Sequence, residues 1–541
     1  INDFRKFGTR YEGHITRHVD GVEYGTGPLG IGVSVGAAFA YAEKLRESGQ
    51  KAYAVMGDGE AEEGQVHEMI QFCKQYKLDN YVLFVDYNKV QLTDSLEKVI
   101  DIDIKKVFEA GDWEVIEVDG HNFKDMWQAL SKAQNARKPV CILGNTVMGK
   151  GVDFMENTGE EHKSDWHGKA PKPEQITDAM EQLAPGSDEK KMLKAFTKNV
   201  SWHPEPAKYP HLLTETGIEK GEPILYKTDD LTDCRSAYGK ALLDLAKHNS
   251  NVLAVTADLK GSVMTKFVSA ELPEQYIECG IAEQHMVSLS GGLSLAGYVP
   301  FASTFGAFMT SRAKDQARVN DINHCNVKMV ATHCGLSVGE DGPTHQAIDD
   351  MGSFLGFFHT MICEPADPNH CDRIIRYVAS HYGNFYVRMG RHKYPVITKE
   401  DGTPFYGTDY AYEYGKTDVI REGSHVTIIA TGAMVHEALQ ALEELPDGYV
   451  ELVAVSSIKH FDDTLVNSVA KTQRVITVED HNIINGLGSQ VARYLQHEHM
   501  RVDHFTMLGV KEYQLSGKAP ELYENAGISA EKIADTCKML M

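Results

Sequence analysis

Asp58 lies between two glycines, Gly57 and Gly59, at the end of the short apolar run 52–56, and Asn88 closes a second apolar run, residues 81–87. A carboxylate, an amide oxygen and a backbone carbonyl just past Asn88 are hard oxygen donors. They suit Mg²⁺ or Ca²⁺, which also hold phosphate oxygens. The flanking glycines let the backbone come close to a diphosphate. A Gly-Asp-Gly by itself is commonly only a turn, and an Asn ending a strand often only caps the next helix. The separation of Asp58 and Asn88 across one strand-helix-strand unit reverses that balance.

Residues 62–76 suit a helix, so the two runs read as parallel strands joined by a crossover. Such a crossover closes right-handed, and adjacent strands lie about 4.8 Å apart. Asp58 and Asn88 then converge at the carboxyl edge of a sheet, where open α/β sheets bind ligands. The same alternation continues through "EVIEV" (114–118) and "VCILGNTV" (140–147). A second series runs through 251–259, 276–280, 327–335 and 385–390, and a third through 426–432, 450–456 and 474–480. Between the first two lies a stretch rich in Pro, Gly and charge. The expected fold class is α/β: three consecutive domains with mainly parallel sheets. We place them at 1–195, 226–398 and 410–541, with a linker over 196–225.

The chain has 541 residues, too long for one core. Its 77 acidic and 54 basic residues give a formal charge of -23, which argues against nucleic acid or an anionic membrane as the main partner. No apolar run long enough to span a bilayer and no signal peptide is recognisable. The nine cysteines are odd in number, scattered and without a CxxC, which fits reduced thiols of a cytoplasmic protein. Residue 1 is Ile and leads at once into charged, helical sequence, so a preceding native segment is expected.

Gly-Asp-Gly followed by the distant Asn is the thiamine-diphosphate fingerprint. With "GVEYGTGPLGIG" (21–32) upstream, the sequence resembles the transketolase family. The likeness covers nearly the whole chain, since "DWHGKAP" (165–171), "CRSAYGKAL" (234–242), "ADLKGS" (257–262), "ECGIAEQHM" (278–286), "FASTFGAF" (301–308), "HCGLSVGEDGPTHQ" (333–346), "VRMGR" (387–391) and "VEDH" (478–481) occur in the family's order. The resemblance implies that the first two domains bind thiamine diphosphate between them. It also implies a homodimer whose active sites lie at the subunit interface, sugar phosphate substrates and a third domain serving packing and assembly.

By resemblance, Asp58, Asn88 and the carbonyl of Val90 hold the metal, while Gly27, Leu29, Gly57, Gly59 and His167 line the cofactor. Glu63 matches a glutamate at the dimer contact. Glu283 would protonate the aminopyrimidine ring, whose imino group then serves as base; burial against aromatics would keep such a carboxyl able to donate. Phe305 and Phe308 are expected to supply that wall, with Phe308 stacked on the ring and Asp258 touching it. His14, His167, His333 and His345 match residues that shuttle protons to sugar hydroxyls, work suited to neutral imidazole. Asp341 matches the acid that holds the donor, and Arg235, Ser262, His333 and Arg391 resemble a phosphate clamp. Outside these motifs each would be an ordinary surface or core residue.

The resemblance also carries departures. The family has a segment before the equivalent of residue 1 that adds histidines to the pocket. The polar loop 149–169 is longer than in some members and reads as a mobile flap. Leu92 and Met148 stand where some relatives have polar residues. Two further readings stay open: a deoxyxylulose-phosphate synthase using the same cofactor on pyruvate, and a catalytically silent scaffold of this fold.

Overall fold

A computed structural model of the protein describes residues 4–19, 21–199 and 209–541, and the chain divides into two compact units, Ile1–Lys208 and Tyr209–Met541. In the first unit, β1 (Ala52–Gly57), β2 (Tyr81–Tyr87), β3 (Glu114–Asp119) and β4 (Val140–Asn145) form one sheet in the order β1-β2-β4-β3. All its pairs are parallel, and Gly57 lies opposite Asp86. The strands at 52–56 and 81–87 are therefore neighbours, as the spacing of Asp58 and Asn88 requires.

The crossover helix is shorter than expected. A 3₁₀ turn, Gly59–Glu62, comes first because the Asp58 side chain accepts from the Gly59 N–H, and extended Glu63 separates it from the helix Gly64–Gln75. A second helix, Ile31–Leu45, packs on β1. It starts at Gly30, whose φ of 82° favours glycine. Its small residues allow close approach: a Cβ on Gly36 would lie 2.7 Å from the Tyr81 hydroxyl, which donates to Val33 O at 2.7 Å.

The loop 149–169 is built around a helix, Asp153–Glu160. Trp166 packs edge-on against Phe154 and donates its indole N–H to Phe154 O at 3.0 Å. A Cβ on Gly159 would meet Met148 O, so the segment is folded against its own base. Of the expected linker, residues 200–208 lie outside the described residues. Residues 209–225 are built into the second unit, with Leu213 and Thr216 N–H groups bonded to Tyr382 and Ser380 carbonyls.

The second unit holds β5 (Thr232–Asp233), β6 (Val252–Thr256), β7 (Tyr276–Glu278), β8 (Val299–Phe305), β9 (Lys328–Thr332), β10 (Thr360–Cys363), β11 (Asn384–Arg388), β12 (Lys393–Tyr394), β13 (Thr417–Arg421), β14 (Val426–Ala430), β15 (Val450–Val455), β16 (Arg474–Asn482) and β17 (His504–Val510). Six strands form a parallel sheet in the order β10-β11-β9-β8-β6-β7. From β6 the chain goes outward to β7 and returns to the other side as β8. The crevice between β6 and β8 is therefore the topological switch point at which ligands collect. The last five strands follow the order β13-β15-β14-β16-β17, with only β13 antiparallel. A short antiparallel pair, β5 with β12, sets Asp233 opposite Lys393.

Within this unit the six-stranded and five-stranded sheets meet at a buried ionic joint. Arg388, on β11, donates to Asp350 at 2.8 Å, to Glu364 at 2.6 Å and to the carbonyls of Ala347 and Asp480. Asp480 accepts in turn from Leu336 N at 2.8 Å. The "VEDH" and "VRMGR" motifs thus contribute residues to a domain joint, where removing one partner would strand a buried charge. Among the described residues no helix is long and apolar enough to cross a membrane.

Candidate functional site

In the first unit the carboxyl ends of β1 and β2 bring Asp58 and Asn88 to one edge. Asp58 is 3% exposed, and its two carboxylate oxygens accept from Gly59 N at 2.8 Å and from Lys89 N. Burial, with Asp86 nearby, pushes its carboxyl above the usual range against the pull of those backbone donors. Lys89, at φ 61°, takes the left-handed turn that aims its N–H at Asp58, and Asn88 Oδ1 accepts from Val90 N at 2.9 Å. Val90 then pairs with Ser95, but the bridge is closed by Leu96 N to Lys89 O and Gln91 N to Asp94 O, leaving the Val90 carbonyl out of its bonds.

This donor set fits a hard divalent cation. A nearly buried carboxylate is met by backbone N–H groups and by no ion-pair partner among the described residues. It stands beside an amide oxygen and a carbonyl, all oxygen ligands of the Mg²⁺ or Ca²⁺ type. No cluster of three or more His, Cys, Asp or Glu that could hold a metal occurs among the described residues, so the set depends on neutral oxygens and on whatever the ligand brings. Around Gly57 a Cβ would meet nothing within 4 Å, whereas at Gly59 it would lie 2.9 Å from the Gln91 amide.

Glu60 was not singled out by sequence reasoning. It accepts from Gly30 N at 2.7 Å and from Gly57 N at 3.3 Å, tying the "GPLG" turn to the "GDG" turn. Its place two residues after Asp58 in "GDGEAEEG" is the only sequence signal. Gly27, at φ 152°, has its Cβ position 4.0 Å from the His14 Cβ, and Leu29 is exposed beside them. His14, His167 and Glu63 are exposed. A Cβ on Gly168 would lie 3.2 Å from Leu92, which puts the His167 turn next to the loop that follows Asn88.

In the second unit the expected residues form two neighbouring clusters. Phe305 ends β8 and Phe308 lies on the helix Gly306–Arg312 that follows, their rings stacked at 5.7 Å. His333, just past β9, packs on Phe305 at 3.9 Å, and His345 meets Phe308 edge-on at 5.3 Å. Burial, with Arg235, Arg391 and His345 nearby, pulls the His333 imidazole down to about 3, so it is neutral at physiological pH. The second cluster is basic. Arg235 donates to Ser262 O at 3.2 Å and to Arg391 O at 3.4 Å, and Asp233 holds its Nε at 3.3 Å. Arg391 is fixed by Ser337 and Val338 and lies 3.8 Å from Asp341. The antiparallel β5–β12 pair explains the meeting of Arg235 and Arg391, since Arg235 lies two residues after Asp233 and Arg391 two residues before Lys393, which Asp233 faces.

Asp258 is exposed just past β6 with φ 57°, its N–H donated to Glu278 at 2.7 Å. Glu283 opens the helix Glu283–Leu295 and is 4% exposed, so the expected burial is present. The wall differs from expectation: the group on its carboxylate is Arg312, at 3.0 and 3.1 Å from the two oxygens. Arg312 in turn lies 4.5 Å from the Phe308 ring centroid. It was missed because a lone Arg carries no motif, although its spacing from Phe308 places both on one helix face.

Three family models match consecutive stretches of the chain: "Transketolase, thiamine diphosphate binding domain" over 1–197, "Transketolase, pyrimidine binding domain" over 231–396 and "Transketolase, C-terminal domain" over 415–533. Among curated proteins, the chain is 32% identical to transketolase-like protein 2 of Mus musculus over 547 residues, covering 99% of this chain and 83% of the relative. It is 31% identical to transketolase of Mus musculus over 549 residues, covering 100% of this chain and 84% of the relative. Among solved structures, transketolase from Campylobacter jejuni subsp. jejuni NCTC 11168 shares the fold, with a TM-score of 0.78 at 23% identity over 99% of this chain and 86% of that one.

Proposed function

This chain belongs to the transketolase family, and from that premise we propose that it moves a two-carbon glycolaldehyde unit from a ketose phosphate, such as xylulose 5-phosphate, to an aldose phosphate, such as ribose 5-phosphate. The observation that carries the reading is the adjacency, in the second unit, of the Arg235–Arg391 pair to His333 and the Phe305–Phe308 stack. A phosphate monoester and a polyhydroxylated carbon chain are what such a basic, imidazole-lined surface recognises.

Bound thiamine diphosphate would supply the nucleophilic carbon and the electron sink. Asp58, Asn88 and the Val90 carbonyl hold Mg²⁺, or Ca²⁺, against the diphosphate, with Gly27, Leu29, Gly57, Gly59 and His167 around it. Glu283 exchanges a proton with a pyrimidine ring nitrogen, Phe308 offers its face to that ring, and Phe305 and Asp258 complete the wall. His333, kept neutral by burial, presents an unprotonated ring nitrogen that accepts a hydrogen bond from a sugar hydroxyl. His345, His14 and His167 do the same at other hydroxyls, Asp341 orients the donor, and Arg235, Arg391 and Ser262 clamp the phosphate. The working enzyme is a homodimer with Glu63 at its contact, and nine free cysteines, eight of them buried, support a cytoplasmic setting.

The test is direct. Supplied with thiamine diphosphate, Mg²⁺, xylulose 5-phosphate and ribose 5-phosphate, the protein is expected to form a seven-carbon ketose phosphate and glyceraldehyde 3-phosphate. Release of CO₂ from pyruvate would instead favour the deoxyxylulose-phosphate synthase reading, which needs no clamp for a donor phosphate. Binding of the cofactor without turnover on either pair would favour the silent scaffold.

A further inference from the structure

We propose that Asp480, in the third domain, is a positioning residue for the substrate loop 335–346, and that through this loop it sets where Arg391 and Asp341 stand. The proposal rests on the sugar-phosphate reading above and goes beyond it in giving the third domain a part in substrate binding.

The loop is closed at its mouth, where Cys334 pairs with Ala347 and Gly335 N donates to Ala347 O at 2.8 Å. Inside that closure the Asp480 carboxylate takes hold of the 3₁₀ turn Leu336–Asp341 at its start. Leu336 N donates to Oδ1 at 2.8 Å, and the Tyr523 hydroxyl donates to Oδ2 at 3.2 Å. Gly335, Gly339 and Gly342 have φ of 73°, 71° and 80°. At each, the place a side chain would take lies against the third domain: the Asp480 carboxylate at Gly335, Gly517 O at 3.2 Å from Gly339 and Ser516 Oγ at 2.6 Å from Gly342. Gln346, 4% exposed, adds a bond to Leu515 O at 3.3 Å. Glycine has little conformational preference of its own, so a loop turned at three glycines takes its shape from the surface beneath it.

What the loop carries is the substrate side of the site. Ser337 Oγ accepts from Arg391 N at 2.8 Å, Val338 O accepts from the Arg391 guanidinium at 3.2 Å, and Asp341 ends the turn 3.8 Å from the same group. A Cβ on Gly390 would lie 2.5 Å from Ser337 Oγ, so the turn cannot shift toward Arg391 without displacing it. Asp480 acts on these groups through Leu336 and the turn. Its own place is fixed by the domain joint, where it is 4% exposed and its backbone carbonyl accepts from Arg388.

The experiment is steady-state kinetics of the full chain, supplied with thiamine diphosphate and Mg²⁺, on xylulose 5-phosphate and on phosphate-free xylulose, with ribose 5-phosphate as acceptor and cofactor affinity measured alongside. Asp480→Ala leaves the Leu336 N–H without its acceptor. It is expected to raise KM for xylulose 5-phosphate about tenfold and to reduce the preference for the phosphorylated donor, with the Kd for thiamine diphosphate unchanged. Asp480→Asn keeps an oxygen for Leu336 and should return KM to the wild-type value. Tyr523→Phe, which frees Oδ2 but keeps the core filled, should move KM in the same direction by less, and it decides the matter if the alanine variant is insoluble. A merely structural role would lower kcat on both donors in proportion to the folded fraction, leaving KM and the preference unchanged. That result, or a KM raised equally in the Ala and Asn variants, would overturn the proposal. A wild type that turns over neither donor would overturn the sugar-phosphate reading and this proposal with it, whereas turnover of both with an unmoved KM in the variants overturns this proposal alone.

Discussion

The two units position their candidate residues by different means. In the first, backbone geometry does most of the positioning: Asp58 and Asn88 are set by strand ends and a left-handed Lys89, and space is left open at Gly57. In the second, side chains lock one another. The rings of Phe305, Phe308, His333 and His345 pack against one another, Arg312 holds Glu283, and Arg235 holds the Arg391 backbone. The second unit's side chains are fixed by one another, whereas Asp58 in the first is a nearly buried carboxylate with no ion-pair partner among the described residues.

The sharpest way to break this contrast is at the two carboxylates. Glu283→Ala is expected to cut kcat/KM by about 10²- to 10⁴-fold without lowering the melting temperature of the cofactor-free protein appreciably. A near-normal rate would remove Glu283 from the chemistry. Asp58→Ala should act on binding. Losing an outer-shell partner of a metal costs about 10- to 100-fold, so losing a direct ligand should weaken Mg²⁺-dependent cofactor binding by at least that much. The stability of the cofactor-free protein should hold or rise, because the buried carboxylate has no cation partner among the described residues. A Kd unaffected by Mg²⁺ in both proteins would contradict the assignment.

Two glycines test the packing half of the comparison. A Cβ on Gly306 would lie 2.5 Å from Cys334 Sγ and 2.9 Å from Ala347 Cβ, both buried. Gly306→Ala is expected to cost about 1–3 kcal/mol of stability, read by denaturant unfolding. Gly57→Ala enters open space, so its stability should change by less than about 1 kcal/mol, while its cofactor affinity falls. Equal destabilisation by both would erase the distinction.

The smallest effect concerns pH. Burial raises the carboxyls of Glu364 and Asp367 to about 7 and of Glu479 to about 8, all in the second unit. A raised carboxyl contributes stability that is complete below its unfolded value and lost as pH rises through the folded one. The buried imidazoles of His333 and His370, pulled down to about 3, lose theirs only as pH falls below about 6.5. The melting temperature of the second unit's transition is therefore expected to fall by a few degrees from pH 6.5 to 8, and a rise over that interval would contradict these environments.

Much of this was legible in the chain. The strands ending at Gly57 and Tyr87 and the convergence of Asp58 with Asn88 follow from apolar runs and one crossover rule. Most motifs found their places at strand ends. The misses have physical causes. β8 carries Phe305 yet contains Pro300, which normally speaks against an inner strand and is accepted here opposite Leu253 near the strand's start. β13 is an antiparallel edge strand with an irregular register, lacking a continuous apolar run. Glu60 and Arg312 act through partners distant in sequence, at Gly30 and Glu283, and no local pattern announces a contact that only the tertiary fold creates.

The most direct test of the central claim is a crystal structure of the protein with thiamine diphosphate and Mg²⁺. The account predicts the cation and diphosphate on Asp58, Asn88 and the Val90 carbonyl, and the pyrimidine against Phe308 with its ring nitrogen at Glu283. A diphosphate seated on Arg235 and Arg391, or a ring bound away from Phe308, would contradict it.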